Sequence, residues 1–316
     1  MHFEQNLIQA IVVIFSLILL TMGLRRVGLV QEEYAQIFAG LVTEVTLPAL
    51  IFISLAKQRV AWQEITLPAT MMAAELACLA LAWLIASLLR LDRPQKGAFI
   101  LASGFGTSAF LGYVVVQQVF PGKVMALTDA VFISEIGVGF LIFTLGVFIA
   151  LYYGANTDRV RSQAAAETLK FFRSPIFISL ALGLLVSFFP QVSDTIVMAT
   201  IYNFLHVLAK ANTVLVILTI GLLLQVRRLG SVLLLAVLAG LIKLILQPFL
   251  VFLPSLWHSY PELWRKVLVL EAAMPSATLA AVYSKRYGCD AGLASLIIFV
   301  TVFLSTFTVL GLLSLL

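Results

Sequence analysis

Apolar residues run along this chain in long stretches, each close to the length of a bilayer crossing and each closed by a short polar turn. A hydrocarbon core of about 30 Å takes roughly 20 residues of helix. On that measure the pattern predicts ten spans, at Asn6–Leu24, Tyr34–Ala56, Ile65–Leu89, Gly97–Phe120, Met125–Tyr153, Ser174–Phe189, Val197–Val226, Gly230–Leu253, Trp264–Arg286 and Ala291–Leu316. The least sharp division falls around Asp194. His2 and Glu4, rather than Lys or Arg, precede the first run, and no small-residue cleavage site follows it, so a retained span is expected instead of a signal peptide.

A polar linker, Gly154–Arg173, divides the spans into two sets of five. Corresponding spans start at residues 6 and 174, 65 and 230, 97 and 264, and 125 and 291, separations of 165 to 168 residues. A duplicated unit produces such spacing. Five is odd, so the second copy enters the membrane from the opposite side, which makes an inverted repeat. The expected organisation is a first repeat at 1–153, a linker at 154–173 and a second repeat at 174–316.

Charge gives the topology. Thirteen basic residues fall in loops on one side (Arg25, Arg26, Arg90, Arg93, Lys96, Arg159, Arg161, Lys170, Arg173, Arg227, Arg228, Lys285, Arg286), against five on the other (Lys57, Arg59, Lys123, Arg265, Lys266). The positive-inside rule then puts the linker in the cytoplasm and both termini outside. A plasma membrane is expected, the inner membrane if the source is bacterial.

Composition narrows the function classes. Of 316 residues 62% are hydrophobic and 11% charged, with a mean hydropathy of +1.08, so the natural solvent is lipid. The net charge of +5 sits in short loops beside apolar spans, which argues against a nucleic-acid partner. Cys78 and Cys289 form no CxxC motif, and His2, His206 and His258 form no metal-ligand cluster. No cofactor is expected, and no phosphate-binding loop suggests an ATP-driven pump.

The fourth span of each half is unusual. One reads Gly104-Phe105-Gly106-Thr107-Ser108-Ala109-Phe110-Leu111-Gly112, the other Glu271-Ala272-Ala273-Met274-Pro275-Ser276-Ala277-Thr278. Clustered glycines, or a proline with hydroxyls, loosen the backbone ladder as a discontinuous helix requires. Breaks at equivalent places in inverted halves point to a transporter site, and a half-helix starting near Pro275 would aim amides at an anion. Taken singly, each segment reads better as a small-residue packing surface; the matched pair favours a site. The candidate substrate-binding residues are Gly106, Thr107, Ser108, Gly112, Pro275, Ser276 and Thr278.

Leu47-Pro48-Ala49-Leu50-Ile51-Phe52 resembles the second span of the auxin efflux carrier family. Ala273-Met274-Pro275-Ser276-Ala277, with Tyr287-Gly288 and Ser305-Thr306, resembles its last two spans; Thr144-Leu145-Gly146 and Ile220-Gly221-Leu222 fit its fifth and seventh. The resemblance covers the whole chain, and the short linker is that of the prokaryotic branch. It implies an all-α fold of ten helices in two inverted repeats, with crossed discontinuous helices 4 and 9, as in the bile acid/sodium symporter-like superfamily. It further implies a scaffold of helices 1, 2, 6 and 7, a moving core of helices 3–5 and 8–10, organic-anion substrates and a homodimer. Thr107 and Val114 stand where the family commonly has asparagine and proline, and Val214 replaces a seventh-span proline.

Ionisable residues inside spans each cost at least about 2.5–3.5 kcal/mol at a helix centre, so they are expected to face a cavity or a partner. Glu135, Glu271 and Lys243 are the ion-coupling candidates, with Lys243 expected to pair with Glu135 or Glu271 or to attract a substrate carboxylate. A structural ion pair would explain them equally well. Glu44, His206 and Lys210 are candidate pathway residues, and Asn203 and Asn212 interhelical hydrogen-bond partners; Glu75 and Asp129 are expected near the headgroups. An intramembrane enzyme is disfavoured, since there is no HExxH and no nucleophile–base pattern. The expected function is secondary active transport of a small organic anion by elevator-type alternating access, coupled to H+ or Na+. An anion channel or facilitator is the alternative.

Overall fold

The computed structural model describes residues 2–31, 33–56, 58, 62–154, 160–189, 195–223 and 233–312. Among them there is no strand. The helices are α1 (His2–Arg26), α2 (Tyr34–Leu41), α3 (Leu47–Ala56), α4 (Thr66–Leu88), α5 (Arg93–Gly104), α6 (Tyr113–Val119), α7 (Val124–Val131), α8 (Val147–Tyr153), α9 (Val160–Phe172), α10 (Pro175–Ser187), α11 (Ile196–Leu223), α12 (Leu233–Leu241), α13 (Gln247–Trp257), α14 (Glu262–Ala272), α15 (Thr278–Tyr287) and α16 (Ala291–Gly311). Lys57, Arg59, Arg159, Asp194, Arg227 and Arg228, used above for topology and span division, lie outside the described residues.

Seven described segments are long and apolar enough to cross a bilayer: Ile8–Arg26, Tyr34–Ala56, Gln63–Leu88, Val124–Tyr153, Ile196–Leu222, Leu233–Trp257 and Ala291–Gly311. The pair Ala165–Phe172 and Pro175–Ser187, bent by 48°, is an eighth candidate. Within the expected polar linker, Val160–Phe172 is helical, and Glu167 accepts a hydrogen bond from Arg286 at 2.9 Å.

Local chemistry sets the helix ends. Asp92 accepts from the Gln95 amide (2.8 Å), Ser174 from Phe177 (3.2 Å) and Asp290 from Leu293 (2.9 Å), so three helices start on side-chain caps. Pro94 and Pro175 occupy first-turn positions, where their missing N–H costs nothing. Helix α15 stops at Gly288, which takes φ +87 and closes the last turn left-handed.

Several helices widen locally into π turns, at Val42–Thr46, Ser108–Gly112, Phe132–Gly139, Ile142–Gly146 and Ile242–Leu246. Two of these end two residues before a proline, Pro48 or Pro248. A proline ring clashes with the carbonyl four residues earlier, and a wider turn relieves that contact.

The chain forms two compact units. Unit 1 comprises Met1–Ile65, Tyr113–Val131 and Lys170–Leu223; unit 2 comprises Thr66–Gly112, Phe132–Leu169 and Leu224–Leu316. In unit 1, α10 lies close on α3 because Gly183 has no side chain: a Cβ there would come within 3.0 Å of Leu55 Cβ. Likewise Gly221 lets α11 approach Thr21 of α1. The Thr46 hydroxyl donates to Asn212 Oδ1 (2.9 Å), both residues buried, so Asn212 is an interhelical partner as expected, whereas Asn203 is exposed. Unit 2 packs around Phe99, Leu101 and Phe105 of the α5 segment, with Cys78, Ala82 and Ala86 forming a small-residue stripe on α4. Cys78 and Cys289 are free and buried.

Candidate functional site

The site is built where two helices of unit 2 fail. Helix α5 ends at Gly104, and Phe105 turns extended (φ −97, ψ 137). Helix α14 ends at Ala272; Pro275, which has no N–H, precludes a continuing ladder, and Ala277 is again extended (φ −63, ψ 129). The two extended pieces cross as an antiparallel bridge between Gly106 and Ser276. The Thr107 amide donates to the Pro275 carbonyl, and the Ala277 amide to the Phe105 carbonyl, both at 2.8 Å. Backbone groups freed by each break are thus satisfied by the other, the condition for irregular backbone at membrane depth.

Helical structure restarts at Ser108 and at Thr278, so helix C-terminal ends and N-terminal ends converge here. Positive dipole ends at the two restarts suit an anion. At one C-terminal end Lys243, fully buried, donates from Nζ to the Ala272 carbonyl at 2.7 Å. Gly106 makes room for it: a Cβ at that position would lie 2.6 Å from Lys243 Cε and 2.8 Å from Nζ.

Carboxylates surround the crossing. Glu271 is fully buried; its Oε2 accepts from the Ser134 hydroxyl at 3.1 Å, while Oε1 has no hydrogen-bond partner. It lies flat against Gly112, where a Cβ would fall 2.7 Å from its Cδ. Glu135, also buried, is a charged neighbour of Glu271. Glu75 of α4 is buried beside Lys243, the Gly106 amide and Gln247, and neither of its oxygens makes a hydrogen bond.

Glu75 is buried inside unit 2 among the crossover residues, and Asp129 is buried in unit 1 with Glu64 as its charged neighbour. Glu75 and Glu271 are carboxylate neighbours of Lys243, so of the two expected partners Glu271 is placed beside it.

The structure brings Gly106, Thr107, Ser108, Gly112, Pro275, Ser276, Glu135, Lys243 and Glu271 together in buried positions of unit 2, with Thr278 half-buried at the start of α15. The Ser276 hydroxyl is buried without a hydrogen-bond partner, although the Ser276 amide donates to Thr301 Oγ1 at 3.2 Å. Glu44, His206 and Lys210 belong to unit 1 and are exposed. Sequence reasoning missed Glu75, Gln247, Ser134 and Thr301. Glu75 carried a usable signal: it stands ten residues into the span that begins at Ile65, about 15 Å along a helix and so near the bilayer centre.

Residues 6–313 match the family described as membrane transport protein. An uncharacterized transporter of Methanocaldococcus jannaschii is 28% identical over 305 residues, covering 95% of both chains. Another, from Methanothermobacter thermautotrophicus, is 27% identical over 299 residues and covers 94% of both. A match along nearly the whole length, on a helical chain with several bilayer-length spans and a crossing of two broken helices, places this protein in the membrane transport family of the auxin efflux carriers.

Proposed function

We propose that this protein is a secondary active carrier of a small organic anion, a carboxylate, bound at the crossing of the two broken helices. The observation that carries the reading is the Gly106–Ser276 bridge with four buried charged groups, Glu75, Glu135, Lys243 and Glu271, around it. A merely structural crossing needs its backbone bonds; it does not need charges whose burial costs several kcal/mol each.

The substrate carboxylate is held by amides and hydroxyls of the Gly106–Ser108 and Ser276–Thr278 segments, with Lys243 balancing charge. Glu271 and Glu135 carry the coupled H+ or Na+, and Glu75 joins them. Burial disfavours an ionised carboxylate and a neighbouring cation favours it, so occupancy by proton, cation or substrate shifts the balance among these groups. Unit 2 is the moving body of an elevator and unit 1 its scaffold. This reading is supported by the presence of all the crossover residues within unit 2, whereas α1, α2, α3, α10 and α11 belong to unit 1; α6 and α7, parts of the expected core helices 4 and 5, also fall in unit 1. The ten spans form two inverted repeats with both termini outside, and the carrier works as a homodimer in the plasma membrane.

Solid-supported-membrane electrophysiology on proteoliposomes tests this. Mono- and dicarboxylates are applied under imposed pH or sodium gradients. Saturable, substrate-dependent currents that follow one of the two gradients are expected; ohmic conductance with single-channel steps would make the protein a channel instead.

A further inference from the structure

A second region of unit 2, separate from the crossover, has the chemistry of a lipid site. Helices α4, α5 and α8 leave a cleft of about 350 Å³ whose walls include Leu76, Leu79, Trp83, Phe148, Tyr152 and Tyr153. That volume is at the small end of the roughly 300–1,000 Å³ of ligand clefts. Leu76, Trp83, Phe148 and Tyr152 are exposed, so the cleft opens on the outside of the protein. Leu76 and Trp83 lie two turns apart, giving a wall about 10 Å long.

One end of this cleft is basic and aromatic. Arg93 lies over the Tyr152 ring (5.4 Å to the centroid) and donates to the Tyr152 carbonyl. The Lys96 ammonium lies over the rings of Trp83 (5.1 Å) and Tyr153 (5.7 Å) and donates to Ser87 Oγ. Trp83 Nε1 in turn donates to the Tyr153 hydroxyl at 3.1 Å, which fixes the two rings at the rim. The nearby carboxylate, Asp92, is engaged in capping α5 through the Gln95 amide, and Arg90 adds a further exposed cation in the same loop.

Apolar walls running from a rim of Trp, Tyr, Arg and Lys reproduce the vertical order of a lipid leaflet: acyl chains, aromatic belt, charged headgroups. Arg93 uses one of five N–H donors on Tyr152, and Lys96 one of three on Ser87, so both retain donors for a phosphodiester. The turn at Arg90 and the first turn of α5, Arg93–Lys96, also lie on the more basic side of the chain, the side the positive-inside rule assigns to the anionic cytoplasmic leaflet.

We propose that this cleft binds an anionic phospholipid, with one acyl chain against α4 and α8 and the phosphate between Arg93 and Lys96. The site is independent of the transport reading; it requires only that unit 2 meet the bilayer.

The test uses Trp83 as reporter. Trp62, Trp257 and Trp264 are replaced by Phe, and the full-length protein is reconstituted into vesicles containing phosphatidylglycerol or phosphatidylcholine brominated on the acyl chains. Half-maximal quenching of Trp83 is expected at an about fivefold lower mole fraction of the anionic lipid, or lower still, given what one basic group contributes near a membrane surface. Arg93→Gln/Lys96→Gln should abolish that preference, and Arg173→Gln should leave it intact. Equal quenching by the two lipids, or a preference that survives the double substitution, overturns the site. Native mass spectrometry of protein with all four tryptophans provides the same comparison without the Trp substitutions: the double variant should retain one anionic lipid fewer, and unchanged retention again rejects the proposal.

Discussion

At the scale of single residues the crossover is a set of close approaches that permit few substitutions. Gly106→Ala would drive a methyl into Lys243, whose end is flexible; about 1–3 kcal/mol of destabilisation is expected with Lys243 displaced from the Ala272 carbonyl. Gly112→Ala meets the carboxylate of Glu271, which Ser134 holds in place, and the same range applies. Gly23→Ala, with open space for a Cβ inside α1, should be neutral or stabilising by up to about 1 kcal/mol. Thermal unfolding of the three purified variants in one detergent separates these outcomes. The buried charges make a second prediction. Lys243→Met removes the cation beside Glu75 and Glu271, a change that costs about 3–5 kcal/mol when it strands a buried partner. Adding Glu75→Gln should recover part of that loss, and strictly additive effects in the double-mutant cycle would show that the two groups do not interact. Glu271→Gln keeps the shape of the side chain and is expected to leave a folded protein whose transport no longer responds to a pH or sodium gradient.

At the scale of elements, the break between α14 and α15 is anchored from a neighbouring helix. The Ser276 amide has Thr301 of α16 as acceptor, and the Thr301 hydroxyl itself donates to the Ile297 carbonyl at 2.8 Å. Thr301→Val should cost about 1–3 kcal/mol by orphaning a buried amide, with Thr301→Ser restoring most of it. Thermal melts of the two variants decide the point, and equal melts would mean that the break does not depend on α16. Both interruptions were legible in the sequence, because Gly104, Gly106 and Pro275 each act on the backbone locally. What they bond to was not: the pairing of Thr107 with Pro275 and of Ala277 with Phe105 joins residues some 170 apart, and no local pattern encodes it. The partner of Glu75 was hidden for a related reason: its depth could be counted from Ile65, but only packing brought Lys243 beside it. The helix at Val160–Phe172 was hidden by polarity, since it carries no clear apolar stripe and one of its contacts, Glu167 with Arg286, joins residues far apart in sequence.

At the scale of the molecule, the chain forms two compact units. Unit 1 is joined by backbone-close contacts, as at Gly183 and Gly221, and by hydrogen bonds such as Thr46 to Asn212 and Thr128 to the Ser54 carbonyl. Unit 2 holds the crossing and its buried charges. A carrier built this way is expected to bind substrate through groups that the protein itself leaves unbonded, and the Ser276 hydroxyl is the clearest of these. Because it is buried without a partner, removing it should cost the fold nothing, whereas losing a hydrogen bond to substrate should weaken binding. The decisive measurement is tracer counterflow of the substrate into proteoliposomes bearing wild-type or Ser276→Ala protein, with melting temperatures determined alongside. The expected result is a Tm equal to or above that of the wild type and an apparent substrate affinity lower by about fivefold to a hundredfold, corresponding to about 1–3 kcal/mol. Unchanged affinity in a folded Ser276→Ala protein would contradict the placement of the substrate at the crossing of the broken helices.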